Sequence, residues 1–160
     1  CLALLDGDSD VRVALSDTRV VFYIGSAVVA SKLIDGNFPE YKRVIPRGGD
    51  IEATVGSALS GVIDRVAAVS SERSRPVKFA FTEAELELTC TDQNAGTAMD
   101  ALEVSCNGKL DIGFQARYVQ DILSSVVGDS IWRMTDSSGP ALIRDSGNED
   151  VMFVLMPLRC

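Results

Sequence analysis

From Asp50 onward, two rhythms of apolar and polar positions follow one another in an order that occurs twice. Ile51 to Thr54 reads as a short strand or helix lead-in. A helix over 54–71 follows, with Val55, Leu59, Val62, Ile63, Val66 and Val69 at helical spacing. Strands are then expected at Val77 to Phe81, Leu86 to Thr91 and Ala98 to Val104, joined by Thr82-Glu-Ala84 and Asp92-Gln-Asn-Ala-Gly96. The second round opens with a strand from Lys109 to Phe114. It continues with a helix from Ala116 to Val127, whose Val119, Ile122, Leu123 and Val126 face inward. Strands at Ser130 to Thr135, Pro140 to Arg144 and Val151 to Met156 complete it, with Gly128-Asp129, Ser137-Ser-Gly139 and Ser146 to Asp150 as turns. A strand-helix-three-strand unit used twice predicts an α+β domain of antiparallel sheets with two helices packed on one face.

The first forty residues fit the tail of one more such unit. Leu2 to Leu5 would be a helix end, Val11 to Leu15 and Val20 to Ile24 a hairpin across Ser16-Asp-Thr18, and Ala27 to Ile34 a last strand. With its other half absent, this partial unit is expected to leave apolar side chains exposed. The segment from Ser31 to Pro46 then reads as a connector between domains. Asp35-Gly36 is a turn dipeptide, and two prolines bias Phe38 and Ile45 to extended backbone and remove two donors.

Composition narrows the chemistry. A 46% hydrophobic chain of 160 residues can bury a core, and no apolar run reaches a membrane span. A net charge of -8 argues against general electrostatic binding to nucleic acid, which needs clustered Lys and Arg. Cys1, Cys90, Cys106 and Cys160 are far apart and the chain has no histidine, so neither a zinc site nor a disulfide framework is expected; a reduced cytoplasm is the simpler setting. The absence of histidine also excludes the usual Ser-His and Cys-His pairs, and no glycine-rich phosphate loop occurs. Glu83, Glu85 and Glu87 alternate opposite Leu86 and Leu88 as a solvated face would. Arg73 and Arg75 suit either a phosphate contact or an exposed loop. The start at Cys1 suggests the C-terminal part of a longer protein.

Two motifs point to a family. The connector Ser31-Lys-Leu-Ile-Asp-Gly-Asn-Phe-Pro-Glu-Tyr-Lys-Arg-Val-Ile-Pro46 closely resembles the inter-domain connector of bacterial sliding clamps, the DNA polymerase III beta subunits. The end, Phe153-Val-Leu-Met-Pro-Leu-Arg-Cys160, is similar to that family's terminal Met-Pro-hydrophobic-Arg signature. The resemblance implies a DNA-clamp fold, with residues 1–45 as the end of the middle domain plus connector and 46–160 as a complete last domain. It implies a non-enzymatic processivity factor without cofactor or metal. Such a factor is a homodimeric ring that encircles duplex DNA and binds short peptides of the replicative polymerase and clamp loader. A stand-alone peptide-binding adaptor that does not encircle DNA is the alternative.

Carried over by motif, the family's peptide pocket would here comprise Pro39, Arg43, Val44, Gln115, Tyr118, Val154, Leu155, Met156, Pro157, Leu158 and Arg159. Gln115 stands where the family has asparagine, and Ser74 stands where some clamps carry an aromatic. The middle domain's own contribution to the pocket would lie upstream of Cys1. The subunit contact would use Ala68 and Val69 at a helix end and the edge strand Ala98 to Val104, including Asp100 and Leu102. On the helix faces that would line the ring, Ser57, Gly61, Asp64 and Ala68 carry no cation, and Arg117 is the DNA-facing charge.

Overall fold

The computed structural model describes residues 10–38, 40–71 and 76–159, in two compact units that divide between Glu40 and Tyr41. The expected helix end at Leu2 to Leu5, and also Pro39, Arg73, Ser74 and Arg75, lie outside the described residues.

The first unit is an antiparallel meander of β1 (Val11–Leu15), β2 (Arg19–Ile24) and β3 (Ala27–Lys32). Ser16 sets the first turn, because its Oγ accepts the Arg19 N–H at 3.1 Å while its own N–H donates to Arg19 O at 2.9 Å. Strand pairing places Val11, Val13 and Leu15 opposite Ile24, Phe22 and Val20, so one face is apolar. Val13 is 54% and Leu15 73% exposed on that face. On the other face Arg12 lies over the Tyr23 ring, 4.1 Å from its centroid. β3 stops at Lys32 rather than Ile34, and Ile34 is solvent-exposed.

The second unit runs β4 (Ile51–Val55), α1 (Leu59–Ala67), β5 (Pro76–Phe81), β6 (Glu85–Asp92), β7 (Gly96–Glu103), β8 (Ser105–Cys106), β9 (Leu110–Gln115), α2 (Ala116–Leu123), β10 (Ser130–Met134), β11 (Ala141–Asp145) and β12 (Asn148–Leu155). Its two sheets, β12-β11-β10-β4-β8 and β7-β6-β5-β9, make the repeat explicit. Each half places its three later strands in one sheet and sends its first strand to the other half's sheet. Thus β4 pairs with β10 (Val55 with Ser130) and β9 pairs with β5 (Gln115 with Pro76). The chain leaving each third strand then crosses to the opposite sheet. After β7, Ser105 and Cys106 pair with Thr54 and Ala53; after β12, Leu158 bridges Gly113. This exchange makes neither half separable from the other.

The helices sit together. Gln120 Nε2 on α2 donates to Ser60 O (2.7 Å) and Asp64 Oδ1 (2.8 Å) on α1, and Ser60 Oγ donates to Gln120 Oε1 at 2.7 Å. α1 packs on β5, β6 and β7 and α2 on β9, all strands of one sheet. Trp132 of β10 joins the sheets, its ring centroid 5.9, 6.2 and 5.6 Å from those of Phe79, Phe81 and Phe114.

Both helices are shorter than their apolar spacing predicts. Val55 ends β4 and pairs with Ser130, and α1 begins only after Gly56, whose carbonyl accepts the Leu59 N–H. α1 stops at Ala67, leaving Val69 half-buried beyond it. α2 stops at Leu123, not Val127, because the Ser124 and Ser125 hydroxyls turn back to Asp121 O at 2.7 and 3.5 Å. Glu85 and Glu87 are exposed between buried Leu86 and Leu88, whereas Glu83 sits in the preceding turn. Cys90 and Cys106 are buried.

Candidate functional site

The last described segment is shaped by the chemistry of its residues. Val154 and Leu155 remain in β12, opposite Leu142 and Ala141. The chain leaves the sheet after Leu155, and Pro157, which has no N–H, does not resume the ladder. Leu158 then donates its N–H to Gly113 O at 2.8 Å. Gly113 is two residues before Gln115, which ends β9 with extended backbone (φ -75, ψ 118) and starts α2 without a side-chain capping bond. Tyr118 lies in the first turn of that helix. The bridge therefore ties the terminal segment to the β9–α2 junction, bringing Leu158 near Gln115 along one strand.

Three of the expected pocket members present apolar surface to solvent: Val44 is 60%, Tyr118 53% and Met156 62% exposed. Arg43 ends a 3-10 turn, Tyr41–Arg43, beside Val44. Pro157, Leu158 and Arg159 line a cleft of about 490 Å³ together with Lys78, Asp111, Ile112, Gly113, Ser137 and Ser138. Of the described expected pocket members only these three line the cleft; Arg43, Val44, Gln115, Tyr118 and Met156 do not, and its facing wall was not among the expected residues. There Lys78 Nζ pairs with Asp111 Oδ2 at 2.7 Å across the β5–β9 diagonal. Ser137 and Ser138 belong to a turn in which Asp136 Oδ1 accepts the Ser138 and Gly139 N–H groups at 2.7 and 2.8 Å. These hydrogen bonds, that from the Ser138 hydroxyl foremost, hold the Asp136 carboxyl below its ordinary range. Val154 and Leu155 are half-buried and buried strand residues, and neither lines that cleft.

The expected subunit-contact residues form a second surface. β7 is the outermost strand of its sheet, with Ala98, Asp100 and Leu102 half-buried in alternation with exposed Met99, Ala101 and Glu103. Val104 follows the strand and is half-buried; Ala68, just past α1, is exposed. Asp100 is already engaged: Arg65 Nε and Nη2 reach its Oδ2 at 2.8 and 2.7 Å, tying α1 to the edge strand. That bond, aided by the Ala101 N–H, lowers the Asp100 pKa.

Two aspartates, unforeseen from sequence, hold both helix exits in the same way. Asp92 ends β6 and Asp145 ends β11, the middle strands of the two halves. Asp92 accepts the Ser71 N–H (3.0 Å) and hydroxyl (2.9 Å), and also the Asn94 and Ala95 N–H groups of its own turn (2.9 and 3.1 Å). Asp145 accepts the Val127, Gly128 and Gly147 N–H groups at 2.9, 3.0 and 2.8 Å. Ser71 and Val127 are each the fourth residue past their helix. These donors, the Ser71 N–H foremost for Asp92 and the Val127 N–H for Asp145, hold both carboxyls well below the ordinary carboxylate range.

On the helix pair, Arg117 is exposed, with Nε 3.9 Å from Asp121 Oδ2 one turn on. Asp64 is exposed and also accepts from Gln120 across the two helices.

A family model described as DNA polymerase III beta subunit, C-terminal domain, matches residues 42–159. The chain belongs to the DNA polymerase III beta subunit family. It is 40% identical over 152 residues to the beta sliding clamp of Caulobacter vibrioides, covering 93% of this chain and 41% of that protein. Among solved structures, the sliding clamp of Bartonella birtlesii superposes with a TM-score of 0.87 at 39% identity, over 94% of this chain and 44% of that one. A structure of the Bartonella birtlesii clamp bound to griselimycin matches at the same TM-score and identity, over 94% of this chain and 41% of the other. The chain thus spans less than half the length of the relatives it matches. The α+β fold of antiparallel sheets with two helices on one face is the fold of these clamps.

Proposed function

We propose that this chain is part of a processivity clamp: a non-catalytic, cytoplasmic ring of two subunits that encircles duplex DNA and tethers the replicative polymerase. In this reading residues 1–45 belong to the clamp's middle domain and connector, and 46–160 form its last domain. The β7 edge with Ala68 and Val69 meets the second subunit. Polymerase and clamp-loader peptides occupy the pocket of Pro39, Arg43, Val44, Gln115, Tyr118 and Val154 to Arg159. Arg117 faces the DNA. An absence of basic clusters on the helix pair suits a ring that slides, since topological enclosure replaces phosphate contacts and tight contacts would slow it.

The observation that carries the peptide reading is the terminal segment itself. It leaves the sheet after Leu155, exposes Met156, and is fastened by Leu158 beside the β9–α2 junction that bears Gln115 and Tyr118. Methionine adapts its shape to different apolar partners, while the Tyr118 hydroxyl can orient a peptide. A titration of a labelled peptide bearing a glutamine and downstream Leu and Phe, against the 160-residue chain with and without residues 156–160, tests this. Burying one Leu or Phe contributes about 1.5–3 kcal/mol, so truncation should weaken binding at least about tenfold. Equal affinity in two proteins with matching circular dichroism would show that the segment is only a strand end. The adaptor alternative has no specific observation in its favour, whereas sliding clamps match nearly the whole chain.

A further inference from the structure

The outward face of the β12-β11-β10-β4-β8 sheet carries a second cleft of about 490 Å³, separate from the terminal segment. Its floor is Leu142, and Arg133 and Arg144 stand on it as diagonal neighbours, since Arg133 pairs with Leu142 and Arg144 is two residues further along β11. The two arginines differ in one respect. Arg133 Nε donates to Glu52 Oε2 at 2.6 Å. Arg144 Nε is buried without a hydrogen-bond partner, and no ion pair of Arg144 occurs among the described residues. A buried guanidinium N–H left without an acceptor is costly, and an oxyanion in the cleft would supply one.

The roof over this face is built and held. Gly49 adopts φ +134, and a Cβ there would come within 3.0 Å of Arg133 Cβ, so only glycine lets the backbone close on the arginine stem. Asn107 fixes the roof where it enters β4: its Oδ1 accepts the Glu52 N–H at 2.8 Å and its Nδ2 donates to Asp50 O at 3.0 Å. Ile45 and Pro46 give the rim an apolar side.

We propose that this cleft binds a carboxylate carried next to a small apolar side chain, with Arg144 donating to the carboxylate and Leu142 and Pro46 receiving the apolar group. Glu52 already neutralises Arg133, and Asp50 lines the roof, so a single negative charge suits the site better than the double charge of a phosphate. The planar guanidinium fork matches a planar carboxylate. A short peptide ending in, or displaying, such a carboxylate is the class of ligand that fits.

The test uses the 160-residue chain, nitrogen-15 labelled, with the arginine Nε–H signals followed by NMR during addition of N-acetyl-leucine. Saturable movement of the Arg144 Nε–H signal is expected, with a dissociation constant of about 1 mM, as befits so small a probe. N-acetyl-leucinamide, the same probe without its charge, should give no saturable shift, and inorganic phosphate at matched ionic strength should bind more weakly. Arg144→Gln should weaken binding at least about tenfold with the backbone spectrum outside the cleft unchanged. Arg144→Lys, which keeps the charge but loses the Nε–H, should lose affinity as well. No saturation in the wild type, equal binding by either variant, equal binding of the neutral amide, or tighter binding of phosphate would each overturn the assignment.

Discussion

Replacing Ser130 by alanine probes the joint between the two halves. Ser130 is buried on β10, and its Oγ both donates to Val55 O on β4 at 3.0 Å and accepts the Trp132 Nε1–H at 2.8 Å. Trp132 is itself fully buried among Phe79, Phe81 and Phe114. Alanine removes the hydroxyl and strands the indole N–H in an aromatic cluster that offers no acceptor. An orphaned buried donor costs about 1–3 kcal/mol and the second lost bond about 0.5–1.5, so Ser130→Ala should destabilise the unit by about 2–4 kcal/mol. Trp132→Phe removes the donor and part of the ring, at about 1–3 kcal/mol where full truncation to alanine costs about 3–5. The double variant strands nothing, so its cost should fall short of the sum by at least about 1 kcal/mol. Urea unfolding measures all three. Trp132 is the only tryptophan, so its fluorescence reports on the second unit, with circular dichroism for the variants that lack it. Ser130→Ala within about 0.5 kcal/mol of wild type, or strictly additive substitutions, would refute the reasoning.

The aspartates that hold the helix exits give a pH dependence. Their folded pKa values lie below the ordinary 3.8, so their stabilisation is complete above that value and is lost as pH falls through the folded pKa. Asp92→Asn and Asp145→Asn should therefore lower the urea midpoint at about pH 7, and the gap to wild type should narrow by about pH 3; a gap that widens would contradict the assignment. Gly49→Ala, which forces a side chain into φ +134 against Arg133, should cost about 1–3 kcal/mol by the same assay. For DNA, a net charge of -8 and only two exposed cations on the helix pair, Arg117 and the Arg65 already paired with Asp100, predict linear-duplex affinity of about 10⁻⁴ M or weaker at physiological salt. Fluorescence anisotropy giving sub-micromolar affinity would rule that out.

Strands were more legible in the sequence than helix ends, for a local reason. In Glu85–Asp92, alternation of Glu85 and Glu87 with Leu86, Leu88 and Cys90 is the burial pattern itself. Val55 misled because its spacing to Leu59 and Val62 is helical, while its pairing with Ser130, distant in sequence, makes it a strand residue. Val126 misled likewise, since the serines that end α2 act through hydroxyl bonds that hydropathy does not register. β8, two residues long, has no period to read. Asp92 looked like a turn residue and Asp145 fell between an expected strand and turn, and only the fold shows that each reaches back to a helix exit. At the cleft beside the terminal segment, Pro157, Leu158 and Arg159 were singled out by the terminal motif. Lys78, Asp111, Ser137 and Ser138 were not, because their position depends on how β5, β9 and the β10–β11 turn meet in space.

The equivalence of the two halves bears on what the terminal segment can do. Each half closes the other's sheet with the stretch that follows its third strand, but the two closures are not held alike. The first is a two-residue strand, with Ser105 paired to Thr54 and Cys106 to Ala53, and is reinforced by Val104 and Cys106 N–H bonds to the β5–β6 turn. Among the described residues the second is a single bridge at Leu158, whose N–H donates to Gly113 O. A segment fastened at one backbone bond opens at lower cost than a paired strand. It can therefore shift its side chains around Leu158 without disturbing β12. In the proposed peptide site that freedom would let Met156, an exposed and flexible side chain two residues before the bridge, fit apolar residues of more than one peptide. In the proposed peptide site, Leu158 would keep the distance to Gln115 constant, so that the adaptable part of the surface stays in register with the polar part.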